Sequence, residues 1–146
     1  MRALKAILLV LGLSSCFDQG ECLITNTHLV KVSLRKKVDN TAATVHFASV
    51  AVLEDTVLYT NLDSAALSLP VNPGVTEMTY VLNYGSSADT LSLGYSNQSV
   101  VLAPSCGAFP YQRNLVITGS TFGQDSVVVT NSSLLKDVLE NVRIYY

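Results

Sequence analysis

The 146-residue chain has no tryptophan, two histidines, two methionines, four prolines and three cysteines. Each scarcity excludes something. The cysteines show no paired C-x-x-C spacing, and His28 and His46 stand apart from any second ligand, so the common zinc patterns are missing. A histidine at the start of a strand or within one, half-buried or at the surface, accounts for each of them. No Gly-x-Ser-x-Gly elbow and no P-loop occurs. The carboxylates are few and fall at turn-like positions, so nothing points to a glycosidase pair. These absences argue for a protein that is not an enzyme and that needs no cofactor or metal. Basic residues are equally sparse: only Arg35, Lys36 and Lys37 cluster. They sit where a strand runs into a turn, which reads as a solvated strand end ahead of an anion or lipid head-group site. Phosphate binding draws on clustered Lys and Arg, so nucleic acid is disfavoured as a partner.

No apolar run is long enough to span a bilayer, which takes about 20 residues. The longest near the start, 6–13 (AILLVLGL), follows Arg2 and Lys5 and has the form of a signal-peptide core. Behind it, Leu13-Ser14-Ser15-Cys16 resembles the bacterial lipobox, in which the thiol is diacylglycerated and cleavage leaves the Cys as the N-terminus. The alternative is ordinary cleavage after Ser14, which would release a soluble chain with an odd thiol. The expected organisation is a signal peptide over 1–15, a lipidated Cys16 and tether over 16–26, and one domain over 27–146. Removal of Arg2 and Lys5 leaves 7 basic and 11 acidic residues, a net charge of −4. Membrane attachment is then through the N-terminal lipid.

From Thr27 onward the dominant period is two. Val30, Val32 and Leu34 alternate with Lys31, Ser33 and Arg35. Met78, Tyr80, Leu82 and Tyr84 alternate with Glu77, Thr79, Val81 and Asn83, and Leu91, Leu93 and Tyr95 with Thr90, Ser92 and Gly94. Such segments are strands with one buried face. Further strands are expected at 45–53, 57–60, 66–69, 99–103, 114–118, 126–130 and 142–145. Turn chemistry punctuates them at 39–40, 54–55, 61–64, 70–74, 85–89 and 96–98. Gly85-Ser86-Ser87 gives the clearest hairpin. Residues 132–140 carry Leu134, Leu135, Val138 and Leu139 at helical spacing behind a Ser cap, enough for a turn or two of helix. Many short strands between turns predict an all-β, antiparallel β-sandwich, Ig-like or Greek-key, with at most one short helix near the C-terminus; a barrel is the second choice.

Seven tyrosines invite a sugar-stacking reading, yet Tyr80, Tyr84 and Tyr95 share faces with Leu82, Leu91 and Leu93 and are expected in the core with their hydroxyls at its edge. Of Tyr145 and Tyr146, only one can face inward. A second pattern is over-represented. Asp55-Thr56-Val57, Asp63-Ser64-Ala65, Asp89-Thr90-Leu91 and Asp125-Ser126-Val127 repeat one triplet, where seven Asp residues would give on the order of one. The triplets resemble the acceptor motif of the general O-glycosylation system of Bacteroidota, which makes Thr56, Ser64, Thr90 and Ser126 candidate acceptors. Local physics offers another account: Asp closes a turn, a hydroxyl residue opens a strand and an apolar residue begins the core face.

Once Cys16 carries lipid, Cys22 and Cys106 remain, and in an oxidising compartment two thiols that can meet form a disulfide. Two buried free thiols are the alternative.

Taken together, Ser15-Cys16, Glu21-Cys22-Leu23, the stretch 68–107 (SLPVNPGVTEMTYVLNYGSSADTLSLGYSNQSVVLAPSCG) and the ending NVRIY at 141–145 resemble a family of uncharacterised small lipoproteins of Bacteroidota. The chain departs from that pattern in a shorter acidic lead-in and in the Ser-Cys-Gly-Ala-Phe step, where an aromatic more often follows the Gly. The resemblance brings no catalytic or ligand residue. It implies a cell-envelope location, at the outer membrane, and an accessory role beside an outer-membrane β-barrel. Two functions therefore stand as expectations: a non-enzymatic binding or accessory module with an envelope protein as partner, or a surface-displayed glycan-binding module.

Overall fold

The computed structural model describes Cys22 and residues 27–101, 103–104, 106–123 and 126–146. The leader, Cys16, most of the tether and Asp125 lie outside the described residues. Nine strands follow in order: β1 (Leu29–Arg35), β2 (Val45–Val52), β3 (Val57–Ser64), β4 (Ala66–Pro70), β5 (Glu77–Tyr84), β6 (Ser87–Val101), β7 (Ala108–Ser120), β8 (Val127–Val129) and β9 (Val142–Tyr145). They form a four-stranded sheet, order β4-β1-β9-β8, and a five-stranded sheet, order β3-β2-β5-β6-β7. The two pack face to face as the expected β-sandwich. All pairings are antiparallel except β1 with β9, which is parallel.

Period two decides which face of each strand turns inward. On β1, Val30, Val32 and Leu34 are buried while Lys31, Ser33 and Arg35 stay half-exposed. Leu67 and Leu69 of β4 and Val142 and Ile144 of β9 complete that side of the core. Phe47 and Val50 of β2, Tyr80 and Leu82 of β5, Leu91 and Leu93 of β6 and Leu115 of β7 meet them from the larger sheet. The tyrosines follow the expected pattern. Tyr80 donates from its hydroxyl to Pro70 O (2.6 Å) and Tyr95 to Asn72 O (2.9 Å), both hydroxyls reaching the rim of the core. Tyr146 is the inward member of the terminal pair, edge-on to Tyr84 and Phe122, and Tyr145 lies against Arg143 on the outer face. The hairpin after β5 turns on Gly85, whose φ of +54° is the sign that glycine accepts without strain.

Three local expectations are corrected. The polar stretch 61–64 is not a loop: β3 runs through it to Ser64, and the chain switches sheets at the single residue Ala65 before β4. Within that stretch Asn61 keeps a left-handed backbone, with φ of +51°. Residues 96–98 are likewise strand, because they lie where β6 has no core face and polar side chains can point to water on both sides. The irregularity falls on the partner strand instead, where Asn114 (φ +56°) forms a bulge between Arg113↔Ser96 and Val116↔Gly94. The expected strand at 99–103 thus begins within β6, which ends at Val101, and that at 114–118 is part of β7.

Among the described residues there is no helix over 132–140. The backbone there is drawn into tertiary bonds: Leu134 O accepts from Thr27 N, Val138 O from Lys31 Nζ, and Asn131 O and Ser133 O from Asn141 Nδ2. Leu134 alone enters the core, and Leu139 is 89% exposed. Asn141 also bonds both backbone groups of Lys31, accepting from its N–H at Oδ1 (2.9 Å) and donating its own N–H to Lys31 O (2.7 Å). A fully satisfied buried Asn of this kind specifies which strand β9 joins.

On the outer face of the smaller sheet, Glu140 takes hydrogen bonds from Ser33 and from Arg143 (2.7 Å), with Arg35 at 3.9 Å. Burial pushes its carboxyl up, but the bonds from Ser33 and Arg143 outweigh this and hold it below its ordinary 4.5. A depressed carboxylate stabilises the fold above its unfolded-state value, and that contribution is lost as the pH falls through the folded-state value. Glu140→Gln is therefore expected to be about 1 kcal/mol less stable than wild type at neutral pH, given a partly exposed cluster. In denaturant titrations that gap should close as the pH is lowered from 4.5; a gap that stays constant would contradict the assignment.

Candidate functional site

Beyond Gly94 the larger sheet narrows to two strands. β5 pairs with β6 only from Tyr84↔Ser87 to Glu77↔Gly94, whereas β6 and β7 continue from Ser96↔Arg113 to Val101↔Ala108. These six further pairs, at about 3.3 Å each, make an arm that projects roughly 20 Å past the end of β5. Isolated two-stranded ribbons are marginal in water, so the arm requires bracing.

The bracing begins at its base. A Cβ on Gly94 would lie 2.8 Å from Thr118 Cγ2 and 3.2 Å from Val116 Cγ2, so the glycine is what lets β6 and the β7 side chains pack this closely. Tyr95 and Tyr111 are buried, and Gln112 is 1% exposed. Gln112 sits at the centre of a polar chain. Its Oε1 meets Nδ1 of His28, and its Nε2 donates to Asn97 Oδ1 (3.1 Å). Asn97 Nδ2 in turn donates to Val75 O (2.6 Å), while Tyr95 N donates to Thr76 O (2.8 Å). His28, in the left-handed region at φ +49°, accepts at its carbonyl from Val71 N. The entry to β1, the loop between β4 and β5, and both strands of the arm are therefore joined by one set of hydrogen bonds.

A covalent link completes the arrangement. Cys22 and Cys106 form a disulfide, with Cα atoms 5.7 Å apart and a separation of 84 positions in the sequence. That distance lies in the range a disulfide spans without backbone distortion. In the chain-entropy model, closing a loop of this length removes about 4–5 kcal/mol from the unfolded state's advantage. The geometry supports the disulfide over the reading with two free thiols.

The other sequence candidates lie away from the arm and from one another. His46 pairs with Asp63 (2.8 Å) across β2 and β3, with both side chains largely exposed. Arg35 ends β1 and reaches Asn40 O and Glu140, and Lys36 and Lys37 are exposed in the following turn, the solvated strand end read from the sequence. The four hydroxyl residues of the Asp triplets have different surroundings. Thr56 is exposed in a turn and donates to Asp55 Oδ1 (3.0 Å). Ser64 is half-buried at the β3–β4 corner and bonds Ala66. Thr90 is half-buried within β6, next to an Asp89 that holds Tyr84 and Thr121. The Tyr84 hydroxyl is pushed up to about 12 by burial and by that carboxylate. Ser126 is 8% exposed, its backbone N–H bonded to Gly123 O and its carbonyl to Tyr145 N.

Among the described residues no group of three His, Cys, Asp or Glu side chains is placed to hold a metal ion. The residues that the sequence reading passed over are Gln112, Asn97 and Asn141. A usable signal for the arm was nonetheless present, since no charged residue occurs between Asp89 and Arg113.

The molecule is therefore a two-sheet β-sandwich with a protruding, disulfide-tied arm. The model of the Family of unknown function (DUF6452) matches residues 44–146, and the chain belongs to that family. The match takes in the arm and Cys106 and leaves β1 and Cys22 outside it. No curated protein and no solved structure matches the chain.

Protein lipidated at Cys16, or carrying Cys16→Ser, is expected to show no reactive thiol when unfolded without reductant and two after reduction. Two thiols before reduction would contradict the disulfide.

Proposed function

We propose that the protein is a lipid-anchored component of the bacterial cell envelope, acylated at Cys16, whose β-sandwich is a non-enzymatic binding or accessory module. The observation that carries this reading is the Cys22–Cys106 disulfide. Such bonds persist in oxidising compartments, where a chain bearing this leader and lipobox would arrive. The outer membrane, as in the small lipoproteins of Bacteroidota that the sequence resembles, is the proposed location, and an outer-membrane β-barrel is the proposed neighbour. Exposed apolar side chains such as Val101, Val75 and Leu139 support a contact role. The glycan-binding alternative calls for exposed aromatic rings, whereas Tyr80, Tyr95 and Tyr111 are buried. Of the proposed O-glycosylation positions, Thr56 has the surroundings that best suit a bulky substituent. Ser126 would have to leave its buried turn to accept one.

Fractionation tests the anchor. Wild-type protein is expected with the membranes and with acyl mass on Cys16, while Cys16→Ala should become soluble or remain an uncleaved precursor. Recovery of the Cys16→Ala protein as a mature, membrane-bound chain would overturn the reading. Crosslinking in intact envelopes should capture a reproducible protein neighbour; a chain recovered only as free monomer that binds sugars would favour the glycan module.

A further inference from the structure

The disulfide joins two parts of the chain whose positions relative to the anchor are very different in sequence and similar in space. Cys22 stands six residues after Cys16 (22 − 16 = 6). A chain of that length spans at most about 20 Å when fully extended. Through Cys106, whose Cα lies 5.7 Å from that of Cys22, the tip of the arm is held within that reach plus the span of the disulfide. The opposite end of the sandwich, where β1 finishes and the turn carrying Val38 follows, is separated from the Cys22 end by the full length of β1, about 20 Å.

The tip has the surface that such a position calls for. Val101 is 64% exposed, Pro104 and Ala108 are exposed, and Ala103 and Phe109 are half-buried. No Asp, Glu, Lys or Arg lies between Asp89 and Arg113, so the arm carries no charged residue beyond Arg113 at its base. A charged side chain at a lipid surface must either remain hydrated or be desolvated at a large cost, and a tip without charge avoids both. Small apolar and aromatic side chains partition favourably into the head-group boundary.

We propose that the tip of the β6–β7 arm rests on the lipid surface, so that the disulfide sets the orientation of the domain on its anchor. The lipid is a first attachment, the tip a second, and the Val38 end faces away from the membrane. This rests on the reading of Cys16 as the anchored residue.

The absence of tryptophan supplies the test, because an introduced indole is the only one in the chain. Mature full-length Val101→Trp is reconstituted in vesicles of phosphatidylethanolamine and phosphatidylglycerol with brominated acyl chains, beside Val38→Trp, a position 98% exposed. The indole emission of the Val101→Trp protein is expected to shift to shorter wavelength and to be quenched several-fold more than that of the Val38→Trp protein. With Cys22→Ala and Cys106→Ala added, this difference should fall. Equal quenching at the two positions overturns the proposal and leaves a protein partner as the occupant of the tip. Ala108→Trp, paired with Val101 across the arm, gives the same reading where Val101→Trp does not fold. Intact mass of the same sample tests the anchor separately. A chain without lipid contradicts the proposed function; its Cys16 thiol, the one left free by the disulfide, is then coupled to a maleimide phospholipid, and the quenching comparison decides the tip contact by itself.

Discussion

The inward face of β1, made by Val30, Val32 and Leu34, is the surface on which both sheets are assembled. β1 has a strand on either side, β4 running antiparallel and β9 parallel, and its three inward side chains meet the core of the larger sheet. A shift of one residue in its pairing would turn Lys31, Ser33 and Arg35 into that core. Two polar devices hold the register. Asn141 bonds both backbone groups of Lys31 and so places β9, and Glu140 gathers Ser33, Arg35 and Arg143 on the outer face directly above the same strand. The parallel pairing, the one departure from antiparallel order, depends on these contacts between residues over 100 positions apart.

The arm belongs to a different regime. Past Gly94 its strands have lost the third neighbour that would let them bury a side-chain face, and among the described residues Tyr95, Leu115, Tyr111 and Gln112 continue the interior outward. Specific bonds contribute to its order, among them the His28–Gln112–Asn97 chain at the base and the disulfide at the tip. Both lead back to the N-terminal segment. The molecule thus combines a core held by apolar burial with an arm held by discrete links to the part of the chain nearest the proposed anchor. That division lets a surface be positioned without being packed.

Much of the core was legible in the sequence because burial on a sheet leaves a period-two trace. Val30, Val32 and Leu34, or Tyr80 and Leu82, alternate with polar residues, and the last strand falls at 142–145 as read. The turn residues were harder to interpret. Asn61 and Asn114 signal left-handed backbone, which a loop and a bulge inside a strand use equally, and only the neighbouring strand distinguishes them. Residues 132–140 carried a helical spacing that lost to carbonyl partners supplied by Thr27, Lys31 and Asn141. Gln112 and Asn141 were invisible for a related reason: a buried amide is defined by its partners, and His28 and Lys31 lie far away in sequence. The disulfide followed from compartment and cysteine count, whereas the arm it secures required knowing where β5 stops.

Amide hydrogen exchange, compared between the oxidised protein and the same protein with the Cys22–Cys106 bond reduced, tests this two-part organisation most directly. Opening of separate units at different free energies is what such exchange resolves. Protection is expected to fall across 96–101 and 108–113 on reduction while β1 and β9 keep theirs. Protection lost to the same degree in β1 and β9, or unchanged in the arm, would contradict it.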